Sequence, residues 1–242
     1  MTICKNCGAE YEGKFCNHCG QKASVGRLNW KYLWHEAQHN LLHFDRNLIT
    51  VLKNLFVRPA AALHEYLDGK RARHFSPFSM IVAFGAASGL LFHFFHIPFN
   101  YAVDEHAVAA VPIPEHGFSY ILYWLNEHQS LKIFVMLPIH AFLTWLLFRR
   151  PRYNFVEHLA INAICGAQIL IIFCIAIPFL LLFQGSDNLR YVLYVSLLAI
   201  FLIPTSTLTR FFDQGNVMVR ILKSLLIYIL PMLLINQLAK IF

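Results

Sequence analysis

The sequence predicts an all-α polytopic membrane protein of about five transmembrane helices, with a small N-terminal zinc ribbon and a juxtamembrane amphipathic helix. Three observations predict it. Of 242 residues, 57% are hydrophobic and only 14% charged, with a mean hydropathy of +0.51; soluble domains carry about 25% charge. Long uncharged runs recur after residue 75. Four of the six cysteines fall within the first 19 residues. The expected organisation is a ribbon over 1–26, a cytoplasmic amphipathic helix and basic linker over 27–75, and a transmembrane domain over 76–242.

The ribbon comes first. Cys4-Lys-Asn-Cys7-Gly8 is followed by Cys16-Asn-His-Cys19-Gly20. Each C-x-x-C turn aims two thiolates at one ion, and the following glycine lets the backbone turn tightly beneath the sulfurs. Two such knuckles complete a tetrahedral four-thiolate site with no open position, the signature of structural Zn2+. The stretch between them reads as a short hairpin. So small a domain has almost no core, and metal binding supplies its folding energy. His18 is a possible ligand, but four thiolates already suffice. A thioredoxin-like reading needs a βαβ unit, which the pattern lacks. Cys165 and Cys174 sit apart in an apolar stretch and read as packing residues.

The linker region follows. From Leu28 to Val57, apolar residues recur at Trp30, Trp34, Ala37, Leu41, Phe44, Leu48, Leu52 and Leu55. Steps of three and four make one helical stripe, opposed by His35, His39, His43 and Arg46. This predicts a helix lying on the membrane surface, or packed on the protein's own spans, and ended by Arg58-Pro59.

Then come the spans. Ser76–Phe99 holds no charged residue and is long enough to cross about 30 Å of hydrocarbon. Further spans are expected at Leu131–Phe148, Phe155–Phe183, Tyr191–Leu208 and Val217–Ile241. Met1–Glu10 is polar and lacks an apolar h-region, so insertion falls to the first span rather than to a cleavable signal. Of 20 Lys and Arg residues, 17 fall before the first span or in loops on the same side, 11 of them before residue 76. That bias predicts a cytoplasmic N-terminus and an outside C-terminus in a bacterial inner membrane. The loop Asn100–Gln129 has no Lys or Arg but four acids, and belongs outside; its aromatic stretch Phe118–Leu125 suits the outer interface.

Three segments carry a resemblance: CKNCGAEYEGKFCNHCGQ, then LWHEAQHNLLHFDRNLITVLKNLFVRPAAALHEYLDGKRARHFSPF, then YNFVEHLAIN. Together they resemble a bacterial family of multi-pass membrane proteins of unknown function with an N-terminal zinc ribbon. The resemblance is densest at the ribbon, the HExxH helix, the GKRxxxxxP entry to the first span and Glu157-His158. It implies the architecture and no activity.

Several residues could carry chemistry. His35-Glu-Ala-Gln-His39 matches HExxH, in which His35 and His39 share a helix face and Glu36 serves as general base. His43 lies about 12 Å from His35 along a straight helix, so a third ligand would come from elsewhere, with His64, Glu65 and His74 as candidates. The competing reading is a polar face on headgroups or loops. His140 lies mid-span with Thr144 one turn on, and is either a functional group or a neutral imidazole bonded between helices. Glu157 and His158 open the third span; Glu157 could bind a cation, fix a histidine tautomer, or pair with Arg149, Arg150 or Arg152. Five outer histidines are His93, His96, His106, His116 and His128. The last three follow Glu105, Glu115 and Glu127, a pattern that suits divalent metals but equally a solvated loop. Pro138, Pro178, Pro204 and Pro231 each bend one of the later spans. Gly85-xxx-Gly89 allows close helix packing.

Three functions compete. In the first, the ribbon and basic linker make a non-enzymatic scaffold or regulator that recruits a cytoplasmic protein partner or anionic lipid headgroups. In the second, kinked spans make a small-solute or ion transporter. In the third, HExxH makes a membrane metalloenzyme. Nucleic-acid binding is argued against by the first 26 residues, which hold only Lys5, Lys14 and Lys22 offset by Glu10 and Glu12.

Overall fold

The computed structural model describes residues 1–39, 48–95, 117–149 and 152–241. Two strands, β1 (Thr2–Ile3) and β2 (Glu10–Tyr11), pair antiparallel, with Thr2 opposite Tyr11. The helices are α1 (Trp30–His39), α2 (Leu48–Val57), α3 (Pro59–Leu67), α4 (Pro77–Phe95), α5 (Gly117–Glu127), α6 (Gln129–Leu147), α7 (Phe155–Leu182), α8 (Leu189–Phe211) and α9 (Val217–Ile241), with a 3-10 turn at Arg71–Arg73. Five of them, α4 and α6 to α9, are long and apolar enough to cross a membrane. They are the five spans expected, so the chain is a nearly all-α, multi-pass membrane protein.

Exposed apolar side chains ring these helices, among them Leu90, Ile139, Phe179, Leu198 and Leu226. A soluble monomer does not leave so continuous an apolar surface in water. Lipid is the solvent that suits it.

Helix α7 is the axis. The most apolar stretch of α7 is 72% buried, against 22–33% for the other four spans. Its start is fixed locally. Asn154 accepts from the Glu157 N–H at 3.0 Å while the Glu157 carboxylate accepts from the Asn154 N–H at 2.8 Å. This reciprocal capping box satisfies two N–H groups that the first turn of a helix leaves without partners. Further along, Gly166 lets α4 and α6 close on the axis. A Cβ there would come within 2.8 Å of Ile81 and 3.2 Å of Ile133. Gly85 likewise faces Phe134, and Ser88 shares a 2.8 Å hydrogen bond with Ser130 beside Gly89. The small residues of the first span therefore serve packing within the chain.

The ribbon end of the bundle is closed by basic side chains. Arg220 donates to the carbonyls of Thr209 and Phe212 at the end of α8, and Lys223 to Leu147 at the end of α6. Helix C-termini present carbonyls and negative partial charge, which cations satisfy.

The segment between ribbon and first span departs from a surface helix. It forms α1 and α2, and residues 40–47 lie outside the described residues. Trp30 and Trp34 on α1 are exposed, as a surface helix requires, but Leu28 and Leu55 are buried in the main core. The end of α2 docks on α7 through one polar contact. Pro59 has no N–H to close the helical bond to the Leu55 carbonyl. Gln168, fully buried on α7, donates to that carbonyl at 2.7 Å and to Thr207 at 2.9 Å. The apolar stripe seen in the sequence is thus covered in part by protein. A stripe of Leu and Trp reads the same whichever apolar phase covers it.

After α3 the chain reverses at Gly69. Its N–H bonds the Tyr66 carbonyl and the Lys70 N–H bonds that of Glu65, the paired closure of a Schellman motif. Gly69 sits at φ +103°, and a Cβ there would also press on Lys5 at 3.2 Å and Val25 at 3.3 Å. One glycine therefore ends α3 and receives the ribbon.

The aromatic stretch Phe118–Leu125, expected at the outer interface, lies within α5, which packs on α6 and α9 with Leu122 and Leu125 buried.

Candidate metal centre and its cradle

Two knuckles of the same geometry hold the cysteines. The Gly8 N–H bonds the Cys4 carbonyl and the Cys4 N–H that of Ala9; the Gly20 N–H bonds Cys16 and the Cys16 N–H bonds Gln21. Gly8 and Gly20 take φ +77° and +72°, the left-handed region that a side chain rarely adopts. The result brings Cys4 Sγ to 3.5 Å from Cys19 Sγ and Cys7 Sγ to 3.6 Å from Cys16 Sγ, all four within 4.8 Å. A tetrahedral four-thiolate ion with bonds of about 2.3 Å separates its sulfurs by about 3.8 Å. The cluster fits a closed metal site with no position for substrate.

The surroundings of Cys19 favour a thiolate. A hydrogen bond from the Asn6 side chain, then one from the Gln21 backbone, holds the Cys19 thiol down to about 6. Cys7 moves the other way despite the Ala9 backbone hydrogen bond, pushed up to about 12 by burial and by its three thiol neighbours. Four such groups cannot all ionise side by side without a cation among them. Asn6 was not singled out in the sequence, where it is merely an x of C-x-x-C.

The ribbon is seated on the bundle by its trailing chain. Lys5 donates to Val25 at 3.1 Å, Gln21 accepts from the Ala72 N–H at 3.0 Å, and Arg71 donates to Gly26 at 2.7 Å. Arg71 also lies over the Tyr32 ring at 4.4 Å. Arg27 then reaches the start of α7. Its Nε donates to Glu157 Oε1 at 3.1 Å and its Nη2 to Oε2, a two-point grip that planar guanidinium suits. The Glu157 side chain is 4% exposed, and the hydrogen bond to Glu157 raises the Arg27 pKa. Glu157 therefore pairs across 130 residues with Arg27, and not with the nearby arginines of its own loop. Arg152 bridges to Asp68 at 3.1 Å instead; Arg149 is described but not bonded to Glu157, and Arg150 lies outside the described residues.

His158 sits one residue on, fully buried. Thr144 spends its one hydroxyl proton on the Ala141 carbonyl and accepts from Asn162 at 2.8 Å, so at 3.2 Å it must also accept from His158 Nδ1. Nδ1 thus carries a proton, and in the neutral ring Nε2 is a bare lone pair. That Nε2 and the Asn162 Oδ1 are both buried without a hydrogen-bond partner. Two unused acceptors one turn apart can take a donor such as water. Thr144 accordingly serves His158 and Asn162. His140 instead lies half-buried with its ring edge-on to Tyr228 at 5.2 Å.

Other candidates separate. His74 bonds Glu65 at 2.8 Å, and Arg58 bonds the same carboxylate at 2.9 Å. His64 faces the other way, bonded to Tyr153 at 3.3 Å and stacked on Phe211. His128 stacks on Trp124, and His96, His106 and His116 lie outside the described residues. The backbone of His35, Glu36 and His39 lies in α1, but their side chains fall outside what is described, as does His43. Among the described residues, the four cysteines are the one cluster of three or more ligand side chains that could hold a metal ion.

Residues 45–88, which run from before α2 into α4, match the model of a family described as a protein of unknown function (DUF3667). Pro59, Gly69 and the entry to α4 lie in that stretch. No curated protein and no solved structure matches the chain.

Proposed function

We propose that the chain is a non-enzymatic scaffold or regulator of a bacterial inner membrane, in which a zinc ribbon on the cytoplasmic face is presented to a protein partner. The observation that carries it is the closed four-cysteine cluster on a seated ribbon: four ligands leave no position for catalysis, and the Arg27–Glu157 pair and Gly69 tie the ribbon to the spans. Zinc is the ion that four thiolates in tetrahedral array suit best. The cytoplasmic placement rests on the arginine and lysine bias. Ile3 and Phe15 stand 67% and 52% exposed on the ribbon, a fitting apolar contact for a partner.

A comparison of full-length protein with Cys16→Ser, each crosslinked in native membranes and purified, tests this. The expected outcome is a discrete partner captured by the first and absent from the second. Equal capture by both, or none by either, overturns the reading. A transporter is the second reading, supported by the unused acceptors of His158 and Asn162 among proline-bearing spans; substrate uptake lost in His158→Phe would favour it.

A further inference from the structure

Between the ribbon and the start of the first span lies an open cleft of about 1080 Å³. Its walls carry Lys5, Lys22, Arg27, Lys31 and Arg71, and no Asp or Glu is among its lining residues. Glu157, paired with Arg27, offsets one of these charges. Lys22 and Lys31 are exposed, and neither side chain has a hydrogen bond or ion pair among the described residues. Gathering five cations around one concavity works against the fold, since like charges repel. A concave basic surface also focuses the field and concentrates anions. The cleft also meets Ser76, just before α4. The first turn of α4 adds helix-dipole charge that is positive at this end.

From this we infer that the cleft binds a phosphate-bearing anion, with Lys22 and Lys31 as its contacts. The ligand chemistry is a phosphate ester or diester. It sits where a spanning helix leaves the hydrocarbon, so a phospholipid headgroup and a soluble phosphate compound can both supply it. The site goes beyond the scaffold reading and stands whether or not the ribbon recruits a protein.

The test uses the full-length protein in nanodiscs. In discs of phosphatidylcholine alone, inorganic pyrophosphate is titrated by calorimetry. In discs containing phosphatidylglycerol, retained lipid is counted by native mass spectrometry after detergent exchange. Binding in the first arm assigns a soluble phosphate compound; retention in the second without the first assigns a headgroup. In either case Lys22→Gln/Lys31→Gln is expected to weaken binding on the order of 30-fold, and Lys31→Gln alone about fivefold. Lys31 lies outside the ribbon, and metal content measured on each variant separates a lost site from a misfolded ribbon. No binding in either arm overturns the inference, as does binding that both variants leave unchanged at full metal content.

Discussion

The ribbon buries Cys4, Tyr11 and Cys16, with Cys7, Ala9 and Cys19 half-covered around them. The bundle packs Ile161, Leu170, Phe173, Leu208, Phe211 and Ile227 into one continuous core around α7. The first has little apolar surface to offset the entropy of ordering its chain, and four cysteines close enough to hold a metal ion that would supply the difference. The second has ample packing surface and needs polar contacts only to fix register, as Gln168 does at the end of α2. The contrast teaches that one chain can hold two stability regimes, joined by a few residues: Gly69, Gln21, Arg71 and the Arg27–Glu157 pair.

The largest expected effect breaks the ribbon alone. Cys16→Ser removes one of four thiolates, and structural zinc in peptides of this kind is worth about 10–16 kcal/mol. Bound metal should fall from one equivalent to none, with rapid proteolysis confined to residues before the first span. Bundle helicity by circular dichroism should stay within error. Loss of helicity would mean the two regimes are not separate.

A change on the other side should have the converse result. Gly166→Leu forces a side chain against Ile81 and Ile133, and overpacking of this kind costs about 1–3 kcal/mol. Thermal unfolding of the bundle should drop while metal content holds.

The joint itself comes next. Arg27→Ala leaves the buried Glu157 carboxylate with its capping contact but without its cation. Breaking a buried pair costs about 3–5 kcal/mol, reduced here to about 1–2 because Arg27 is largely exposed. Hydrogen exchange should rise at both Leu28 and the first turn of α7. Arg152→Ala, by contrast, should be nearly silent, since its pair with Asp68 is exposed on both sides.

The smallest effect concerns pH. Burial opposes the Glu65 carboxylate, but the His74 hydrogen bond and charge, with Arg58 beside it, outweigh burial and hold it below the usual carboxylate range. A carboxylate lowered on folding contributes stability above its ordinary value near 4.5, and that contribution is lost as pH falls through the lowered value. The difference in melting temperature between the parent and Glu65→Gln should therefore shrink as pH falls below 4.5. A difference unchanged at low pH would remove His74 and Arg58 as its cause.

What the sequence discloses follows the range of each interaction. Ligand spacing within a knuckle and an uncharged run of twenty residues are local properties, so the four cysteines and the five spans could be read directly. So could the end of α2, because Pro59 acts on its own neighbourhood. Arg27 could not be matched to Glu157, because nothing in a basic linker names one carboxylate 130 residues away, and nearer arginines offered themselves first. Asn6 was hidden because a side chain that bonds a sulfur leaves no periodic trace. Gln168 might have drawn notice as a lone amide in an apolar helix. Its target, a carbonyl orphaned by proline, is visible only when both segments are placed. The HExxH pattern stands where it stood in the sequence, its side chains outside the described residues.

The bond from Gln168 to Leu55 has a consequence for biosynthesis. A ribosome that has delivered the first two spans has made the whole N-terminal quarter, yet neither Gln168 nor Glu157 exists to receive it. Leu55 must wait, with its carbonyl solvated, until the third span is inserted and threads between its elders. Completion of the front of the molecule is thus timed by the arrival of its middle, and a nascent chain stalled before residue 168 should remain open to proteases at α2 even when its ribbon has already closed.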